Sequence, residues 1–353
     1  MKGIILHGGH GTRLRPLTHT GPKQLLPIAN KPMSEYCVEA IRDCGISDIA
    51  IIIGGIGSKK VKEYYGDGSK FNVKISYIEQ DEPKGIAHAI NLCKNFIGNE
   101  KFLVFLGDNI IQKSIFDISK KFESSDDDAL VLLCEVSNPE RFGIADVVDN
   151  KITKIIEKPK NPPTNLAVTG IYFLTTKIFD IFSRLKPSWR NELEITDALQ
   201  MMLEENNVIN FEMITDYWKD TGTPDDIIHA NGQILKNMQS YFSGLKENGA
   251  EISGNTMIGN NSNISTSSKI LGPCIIGENC IIGENSIIGP NVSIGNNSKL
   301  KNCNIQNSIV MENCVIDSNM KIRNSILSSN SSITINTNDE KVFLLGEGTK
   351  ISL

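Results

Sequence analysis

The chain has 353 residues, and 36 basic against 41 acidic side chains give it a formal net charge of −5. This balance lacks the basic charge with which proteins bind duplex DNA or an anionic membrane, so we expect no nucleic acid and no membrane as partners. No apolar run approaches the roughly 20 residues of a membrane-spanning helix. At about 150 residues per domain, the length predicts about two domains.

The eight cysteines give no sign of a metal site or a disulfide framework. None belongs to a CxxC pair, and no Cys/His cluster has the spacing of a zinc site. The amino-terminal apolar stretch is too short for the core of a secretory signal. We therefore expect a cytoplasmic protein with reduced, mostly buried thiols.

Residues 1–225 alternate between short β-rich runs and amphipathic stretches. Strands are predicted over 3–7, 49–53, 73–79, 102–106, 129–135, 166–174 and 208–214, and helices over 33–43, 58–65, 85–96, 113–123 and 195–205. Runs such as FLVFL at 102–106 are apolar throughout, as in strands that are covered on both faces. We predict an α/β domain with a Rossmann-like, mainly parallel sheet, which binds ligands beyond the carboxyl ends of its strands.

A glycine-rich loop with the sequence LHGGHGTRLRP follows the first predicted strand. Gly8, Gly9 and Gly11 let the backbone approach a ligand closely and turn N–H groups toward phosphate oxygens. The spacing fits neither the GxGxxG dinucleotide fingerprint nor the P-loop, which needs a GK[ST] triplet. We interpret the loop as a phosphate-binding loop of another class, and a plain tight turn is the alternative.

Charged and amide side chains near this loop suit phosphate chemistry. The Arg13 guanidinium could clamp a triphosphate at two points, and Lys23 adds an ammonium group. Gln24 carries an amide that could read a base edge. Asp108 directly follows the strand at 102–106, where a carboxylate could bind Mg²⁺ through oxygen. The alternatives are solvated surface charges for the cations and a turn or helix-capping role for Asp108.

Residues 224–242 are predicted to form one helix that connects the two halves of the chain. Pro224 suits its first turn, and Asp225 and Asp226 lie near the positive end of the helix dipole.

Beyond residue 251, aliphatic residues recur at a period of six, which neither a helix nor an ordinary strand has. The unbroken series is Ile258, Ile264, Ile270, Ile276, Ile282, Ile288, Ile294 and Leu300. A hexapeptide β-solenoid has this period, because each short strand points one aliphatic residue inward and three strands close one coil. Asparagine, which tolerates the left-handed backbone of tight corners, is frequent here. After residue 300 the register loosens, and Ile309, Val315, Ile326 and Ile333 indicate further coils.

Motifs along the first half of the chain match a known family in order. GGHGTRLRPLT and KQLLPIANKPM are followed by GDN at 107–109, FGIA at 142–145, EKP at 157–159, VTGIY at 168–172, ELEITD at 192–197 and WKDTGT at 218–223. Together they resemble the signature of the sugar-1-phosphate nucleotidylyltransferases. Within this family the chain most resembles the long-form glucose-1-phosphate thymidylyltransferases, which carry a C-terminal left-handed β-helix.

The resemblance covers residues 1–235 and implies a division into two domains. We expect a nucleotidyltransferase catalytic domain at 1–235, with a connecting helix at 224–245 at its end, and a left-handed β-helix at 246–353. Homo-oligomerisation through the flat faces of the β-helix is expected.

The resemblance also implies a reaction and a set of site residues. Glucose 1-phosphate attacks the α-phosphorus of dTTP, which gives dTDP-glucose for deoxysugar or polysaccharide biosynthesis and releases pyrophosphate, with Mg²⁺ as cofactor. Catalytic roles are implied for Arg13, Lys23 and Lys158, and metal binding for Asp108 and Asp220. Nucleotide contacts are implied for Leu6, Gly8, Gly9, Gly11, Thr12, Arg13, Gln24, Gln80, Gly85 and Asp108. Sugar-phosphate contacts are implied for Gly143, Glu157, Lys158, Val168 and Tyr172.

Several alternatives stay open at this point. UTP or another sugar phosphate could replace the proposed substrates, and a subunit without catalytic activity is a further reading. A second, acetyltransferase activity is disfavoured because the histidine base of such enzymes has no candidate at 230–353. Tyr172 could belong to the core, and His7 stands where the family often has a small residue.

Overall fold

The structure is a computed structural model that describes residues 1–9 and 11–334. The part of the predicted β-helix domain that follows residue 334 lies outside the described residues. Contacts divide the chain into two compact units. The first comprises Met1–His10, Thr20–Leu25 and Met33–Asp220, and the second comprises Gly11–His19, Leu26–Pro32 and the chain from Thr221 onward. The predicted domain boundary near residue 235 stays a prediction.

The described chain up to residue 237 contains short strands, α-helices and 3₁₀ turns. The strands up to residue 220 are β1 (Lys2–Leu6), β2 (Pro27–Ile28), β3 (Lys31–Pro32), β4 (Asp48–Ile53), β5 (Lys74–Glu79), β6 (Phe102–Leu106), β7 (Asn109–Ile111), β8 (Ala129–Glu135), β9 (Gly143–Val148), β10 (Lys151–Glu157), β11 (Leu166–Leu174), β12 (Ile209–Met213) and β13 (Trp218–Asp220). The α-helices are α1 (Met33–Asp43), α2 (Ser58–Tyr65), α3 (Ile86–Asn91), α4 (Lys94–Ile97), α5 (Phe116–Ser124), α6 (Ile178–Phe182), α7 (Ile195–Glu204) and α8 (Pro224–Asn237). Short 3₁₀ turns cover Thr12–Leu14, Lys23–Leu25, Ser69–Phe71 and Pro139–Arg141.

The first unit is built on a nine-stranded sheet that confirms the predicted α/β class. Strands β6, β1, β4 and β5 pair in parallel in that order, whereas β11 runs antiparallel to β6 and to β8. Alternate residues of β1 enter separate hydrophobic clusters, with Ile4 on one side of the sheet and Ile5 on the other. The sheet is therefore covered on both faces, as the continuous apolar runs predicted.

The β9–β10 hairpin was not predicted, because its sequence lacks the alternation of an ordinary strand. Strand β10 reads KITKIIE, with Ile152 and Ile155 three positions apart. Its pairing with β9 shifts register between Ile152 and Lys154. This bulge turns both isoleucines to the same buried side, so a period of two is absent from the sequence.

The predicted helix at 224–242 begins where expected but ends earlier, at Asn237. Thr223 caps its start, since its Oγ1 accepts a hydrogen bond from the Asp226 N–H at 3.3 Å, and Pro224 opens the first turn. At its end the Asn255 side chain donates to the carbonyl oxygens of Leu235 at 3.3 Å and Met238 at 2.5 Å. The helix thus ends where the Asn255 side chain, which is distant in sequence, donates hydrogen bonds to its last carbonyl oxygens.

The second half forms the predicted left-handed β-helix, built from three parallel sheets. Its strands are β14 (Tyr241–Phe242), β15 (Leu245–Lys246), β16 (Glu251–Ser253), β17 (Thr256–Ile258), β18 (Asn263–Ile264), β19 (Lys269–Leu271), β20 (Cys274–Ile276), β21 (Ile281–Ile282), β22 (Ile287–Ile288), β23 (Val292–Ile294), β24 (Lys299–Lys301), β25 (Asn304–Gln306), β26 (Ser308–Val310), β27 (Val315–Asp317), β28 (Lys321–Arg323), β29 (Ile326–Leu327) and β30 (Ser332–Thr334). The eight aliphatic residues of the period-six series are at most 1% exposed, which confirms that they form the core.

After residue 300 the residues that enter the core differ from those expected. Val310 pairs with Ile294 and lies in the core, whereas Ile309 pairs with Ser293 on the outer side of the same sheet. Val315 is 41% exposed, and its neighbour Ile316 is the buried residue. Some corners here are one residue shorter, so a fixed period of six selects the wrong neighbour.

Asparagines stack at the corners of the coils. Positive φ values occur at Asn261, Asn279, Asn297 and Asn313, one above the other. The side-chain amide of each one donates to the next, with N···O distances of 3.2 to 3.3 Å. Each asparagine therefore supplies both the left-handed backbone of its corner and a hydrogen bond along the stack.

Helix α8 packs on one outer face of the β-helix, against β23 and β26. The outward side chains Ser293 and Ile309 of these strands are fully buried.

The cysteines agree with the prediction, since all eight are free and seven are buried. Among the described helices, none has the length and apolar character needed to cross a lipid bilayer.

The β-helix core allows a matched test, because Ile281 and Ile282 are adjacent in sequence but 44% and 0% exposed. Ile282→Ala should lower the free energy of unfolding by about 2–5 kcal/mol through lost burial and a cavity. Ile281→Ala should change it by less than about 0.5 kcal/mol. Urea denaturation followed by circular dichroism measures both, and equal losses would contradict the inward assignment of Ile282.

Candidate active site

The carboxyl ends of β1 and β6 lie side by side in the first unit, and each is followed by a predicted site segment. Leu6 pairs with Leu106, and the Gly107 N–H donates to the Leu6 carbonyl at 3.0 Å. A Cβ added at Gly107 would lie 2.8 Å from that oxygen, so glycine is required there. This close approach places Gly8 and Asp108 at the same edge of the sheet, as the parallel topology predicts.

Asp108 forms an ion pair with Lys23 at this edge. The two side chains are 12% and 14% exposed, and Asn109 Nδ2 donates to Asp108 Oδ1 at 3.1 Å. Burial alone would raise the pKa of the Asp108 carboxyl. The charge of Lys23 and the hydrogen bonds from Lys23 and Asn109 outweigh this, so the pKa lies below its usual value. Asp108 is therefore an ionised carboxylate held in place.

The second predicted metal carboxylate lies on the adjoining strand. Strand β13 pairs with β7, and Asp220 is opposite Asn109, the residue after Asp108. Asn109 also fixes this arrangement, because its Oδ1 accepts hydrogen bonds from Trp218 Nε1 at 2.7 Å and from the Gly170 N–H at 3.3 Å. Asp220 on β13 is thus placed opposite the residue that follows Asp108, although the two acids are far apart in sequence.

The donor chemistry of this acid pair fits Mg²⁺. Within the described residues, no group of three or more His, Cys, Asp or Glu side chains is arranged to hold a metal. Mg²⁺ is bound in enzymes by one or two carboxylates together with water and substrate phosphates. Asp108 and Asp220 supply such a pair, and Asp108 is ionised without a metal.

Two glutamines flank Gly8. Gln24 is 1% exposed, and its Nε2 donates to the Gly8 carbonyl at 3.0 Å. Gln80 is 8% exposed and hydrogen-bonds through Nε2 to His88 Nδ1 at 3.0 Å. The structure thus brings together Gly8 and the two amides that were predicted to read a base.

Gly85 has a structural reason to be glycine. Its φ is 104°, and a Cβ there would lie 2.5 Å from the Leu193 carbonyl oxygen. The Ala87 N–H, just inside α3, donates to the same oxygen at 3.0 Å. The close approach to Leu193 requires glycine here, and the base contact of Gly85 stays a prediction. Gly9 has a φ of 95°, and apart from its chain neighbours no atom of the described residues lies within 4 Å of its Cβ position.

The predicted sugar-phosphate residues gather at the start of β9 and the end of β10. Gly143 pairs with Glu157, and a Cβ at Gly143 would lie 2.4 Å from Thr196 Cγ2. Thr196 Oγ1 donates to Glu157 Oε2 at 2.8 Å, and Lys158 Nζ lies 3.0 Å from Glu157 Oε1. Lys158 has a φ of 40°, an unusual conformation for a side-chain-bearing residue. The Glu157 carboxylate is therefore fixed on both oxygens.

Arg190 completes this cluster and was missed from the sequence. Its Nη1 lies 3.4 Å from Glu157 Oε1 and 3.2 Å from Glu194 Oε1. Burial and the Glu157 charge raise the pKa of Glu194, and the same causes raise that of Asp197. Arg190 lies two residues before the ELEITD motif at 192–197, but no pattern in the sequence links it to Glu157, so only the fold reveals its part in the cluster.

Tyr172 and Val168 are core residues of β11, 3% and 6% exposed. Burial, followed by the charges of Glu157, Asp108 and Glu194, raises the pKa of Tyr172. Its hydroxyl is therefore neutral, and the negative charges of Glu157, Asp108 and Glu194 act on it. The structure favours the core role that the sequence left as an alternative.

Gly11, Thr12 and Arg13 belong to the second unit. Gly11 has a φ of 57°, and its carbonyl accepts a hydrogen bond from Thr18 Oγ1 at 2.8 Å. Arg13 lies in the 3₁₀ turn and is exposed. A Cβ at Gly222 would lie 3.1 Å from Arg13 Nη2, so this guanidinium packs on glycine backbone.

Comparison with known proteins gives a consistent result. The nucleotidyl transferase family profile matches residues 2–237, and the GMPPB C-terminal domain profile matches residues 270–352. The low-salt glycan biosynthesis nucleotidyltransferase Agl11 of Haloferax volcanii is 47% identical over 255 residues, 72% of this chain and 71% of that protein. A glucose-1-phosphate thymidylyltransferase of Streptomyces griseus is 38% identical over 259 residues, 73% of each chain.

A solved structure is also similar. A crystal structure from Bacillus anthracis, described as a glucose-1-phosphate thymidylyltransferase, superposes with a TM-score of 0.64 at 40% sequence identity. It covers 69% of this chain and 98% of that one.

His7 lies in the glycine-rich loop, directly after β1, in an unusual environment. It is 2% exposed, packs edge-on against Tyr65 at 6.0 Å between ring centroids, and has no hydrogen-bond partner for either ring nitrogen among the described residues. Burial lowers its pKa to about 3, although the Asp108 charge acts in the opposite direction. The imidazole is therefore neutral at physiological pH.

This depressed pKa links stability to pH. Since an unfolded histidine titrates near 6.5, the unfolded state binds more protons between about pH 6.5 and 3. Stability should therefore fall as the pH drops through this window, by at most about 1.4 kcal/mol per unit from this residue. Urea titrations at pH 7, 6 and 5 should give a shallower decline for His7→Asn than for the unmodified protein. His19→Asn, at an exposed histidine, is the control; an identical slope for His7→Asn would refute the assignment.

Proposed function

The chain belongs to the nucleotidyl transferase family, and from this premise we propose that it transfers a nucleotidyl group from dTTP to α-D-glucose 1-phosphate. The observation that carries the proposal is the ionised Asp108, paired with Lys23 at the end of β6 and joined by Asp220 across the β7–β13 pair. The product would be dTDP-glucose, with release of pyrophosphate.

The reaction depends more on the stabilisation of negative charge than on acid–base catalysis. The attacking phosphate oxygen is already an anion, so no general base is required to deprotonate it. Two anionic esters must be brought together, and charge must be stabilised on the departing pyrophosphate. Lys23 supplies a cation for this at the sheet edge, and we propose the same role for Arg13.

We propose that Asp108 and Asp220 hold Mg²⁺. When bound, the metal would supply charge stabilisation and orientation for the phosphates. Without the metal, Lys23 keeps the Asp108 carboxylate ionised. When another cation pairs with Asp108, the Lys23 ammonium group can turn to a phosphate oxygen. The two residues thereby keep a balanced charge at the site with and without substrate.

The cluster around Glu157 suits the sugar phosphate. Its carboxylate already accepts from Thr196 and Arg190, and a carboxylate has further lone pairs with which to accept from a sugar hydroxyl. Lys158 lies beside it, with a side chain 34% exposed, and offers a cation for the phosphate. Gly143 and Val168 are proposed to contact the sugar through their backbone groups.

We propose that the nucleotide base binds beside Gly8, next to the amides of Gln24 and Gln80. An amide that both donates and accepts suits the imide edge that thymine and uracil share. dTTP is proposed because a relative at 38% identity is named a glucose-1-phosphate thymidylyltransferase. UTP is the competitor, and it differs by a ring methyl and a 2′-hydroxyl.

Self-association through the β-helix and a cytoplasmic location also stay predictions. In one column of the β-helix, Leu245, Ile281 and Val315 are 68%, 44% and 41% exposed, and they alternate with Asn263 and Lys299 on the coils between them. This partly apolar face supports the expectation of a homo-oligomer.

Initial rates of pyrophosphate release over a matrix of nucleoside triphosphates and sugar 1-phosphates test the substrate assignment. The highest kcat/KM is expected for dTTP with glucose 1-phosphate, and no turnover is expected after Mg²⁺ is removed. A higher value for UTP would replace dTTP, and a lack of turnover with every pair would overturn the proposed function.

Asp108→Asn tests the metal carboxylate. Loss of one oxygen charge should raise the Mg²⁺ concentration needed for half-maximal rate and lower kcat about 100-fold or more, because charge stabilisation of this kind is worth several kcal/mol. Asp126→Asn, at an exposed aspartate of the same unit, serves as the matched control. An unchanged Mg²⁺ titration in Asp108→Asn would remove this residue from the metal site.

A further inference from the structure

Asn231 is a fully buried polar residue in the middle of α8. Its Oδ1 accepts two hydrogen bonds, from the Ala29 N–H at 2.8 Å and from Ser293 Oγ at 2.6 Å. All three residues belong to the second unit. A buried polar group is costly unless it is hydrogen-bonded, and the two bonds satisfy Oδ1, whereas Nδ2 has no partner among the described residues. The amide joins a segment near the amino terminus to a strand of the β-helix.

The segment that Asn231 holds is the tip of the β2–β3 hairpin. Ala29 and Asn30 form the turn, with φ values of 48° and 62°. Asn30 Nδ2 donates to the Ile294 carbonyl at 2.6 Å, so the tip also contacts β23 directly. A hairpin with two-residue strands has almost no stability of its own. Its position therefore depends on these bonds to α8 and to β23.

The approach to α8 contacts Arg13. Gly222 precedes the helix, is buried, and would bring a Cβ to 3.1 Å from Nη2 and 3.3 Å from Cζ of Arg13. The same helix bears Asn231 nine residues later and packs on β23 and β26. Helix α8 thus contacts the hairpin tip and the β-helix, and Arg13 packs on Gly222, two residues before the helix begins.

We propose that the β-helix positions catalytic groups, with Asn231 as the positioning residue that couples β23 to the hairpin and, along α8, to Arg13. This inference rests on the proposed function for the role of Arg13. A defect in β23 therefore lowers turnover before it unfolds the chain.

The test compares Asn231→Leu, which removes both acceptor bonds at similar volume, with Asn231→Asp, which keeps an oxygen for both donors. Asn231→Leu should lower kcat about 10- to 100-fold, the effect of misplacing a group by about 1 Å, with a smaller change in KM. Asn231→Asp should restore most of the rate. Ser298→Ala is the matched control, because Ser298 is equally buried in the β-helix but donates within it, to the Met311 carbonyl.

Hydrogen exchange of peptides covering 11–19 and 26–32 gives a readout that is independent of turnover. Both should exchange faster in Asn231→Leu than in the unmodified protein and Ser298→Ala. Should Asn231→Leu fail to fold, Ser293→Ala and Asn30→Gly, which each remove one bond, are expected to show the same changes at smaller size. Unchanged exchange in all these variants would overturn the proposal. Absence of turnover in the unmodified protein would instead contradict the proposed function, and exchange would still decide the positioning role.

Discussion

A buried carboxylate stays ionised only where a cation and hydrogen bonds replace the water that it has lost. At the end of β6, Lys23 and Asn109 meet this requirement for Asp108. Lys23 comes from a 3₁₀ turn, Asn109 is the neighbour in sequence, and β13 holds Asn109 through Trp218. The position of Asp220 follows from that pairing, since it lies opposite Asn109. One buried charge therefore organises the sheet edge on which the proposed chemistry takes place.

The sequence predicted those features that depend on local pattern. The strand at 102–106 and the helices at 33–43 and 58–65 have the observed bounds, because apolar runs and helical periodicity are properties of neighbouring residues. The β-helix was predicted for the same reason, since every coil repeats one pattern. The prediction weakened only after residue 300, where shortened corners moved the inward position to residues such as Val310 and Ile316.

Other features depend on partners that are distant in sequence, and these were not predictable. Arg190 binds Glu157, which is 33 residues away, and Asn255 hydrogen-bonds the last carbonyls of α8. Gly85 shows the converse, because the fold supplies a steric reason for this glycine at the Leu193 backbone that the sequence does not reveal. The grouping of residues 11–19 with the β-helix unit also has no local signal. A motif identifies which residues matter more reliably than it identifies what they touch.

The packing of α8 along the β-helix sets a rule for how this architecture can change length. The helix leads directly into the first coil at β14 and runs back along the stack to β23 and β26. One extra coil before β23 would move Ser293 by about 4.8 Å along the stack, which equals about three residues of helical rise, and would break its register with Asn231. Coils added beyond β26 would leave that register intact, because each coil contacts only its neighbours. Insertions and deletions of whole coils are therefore tolerated toward the carboxyl-terminal end and selected against near the helix.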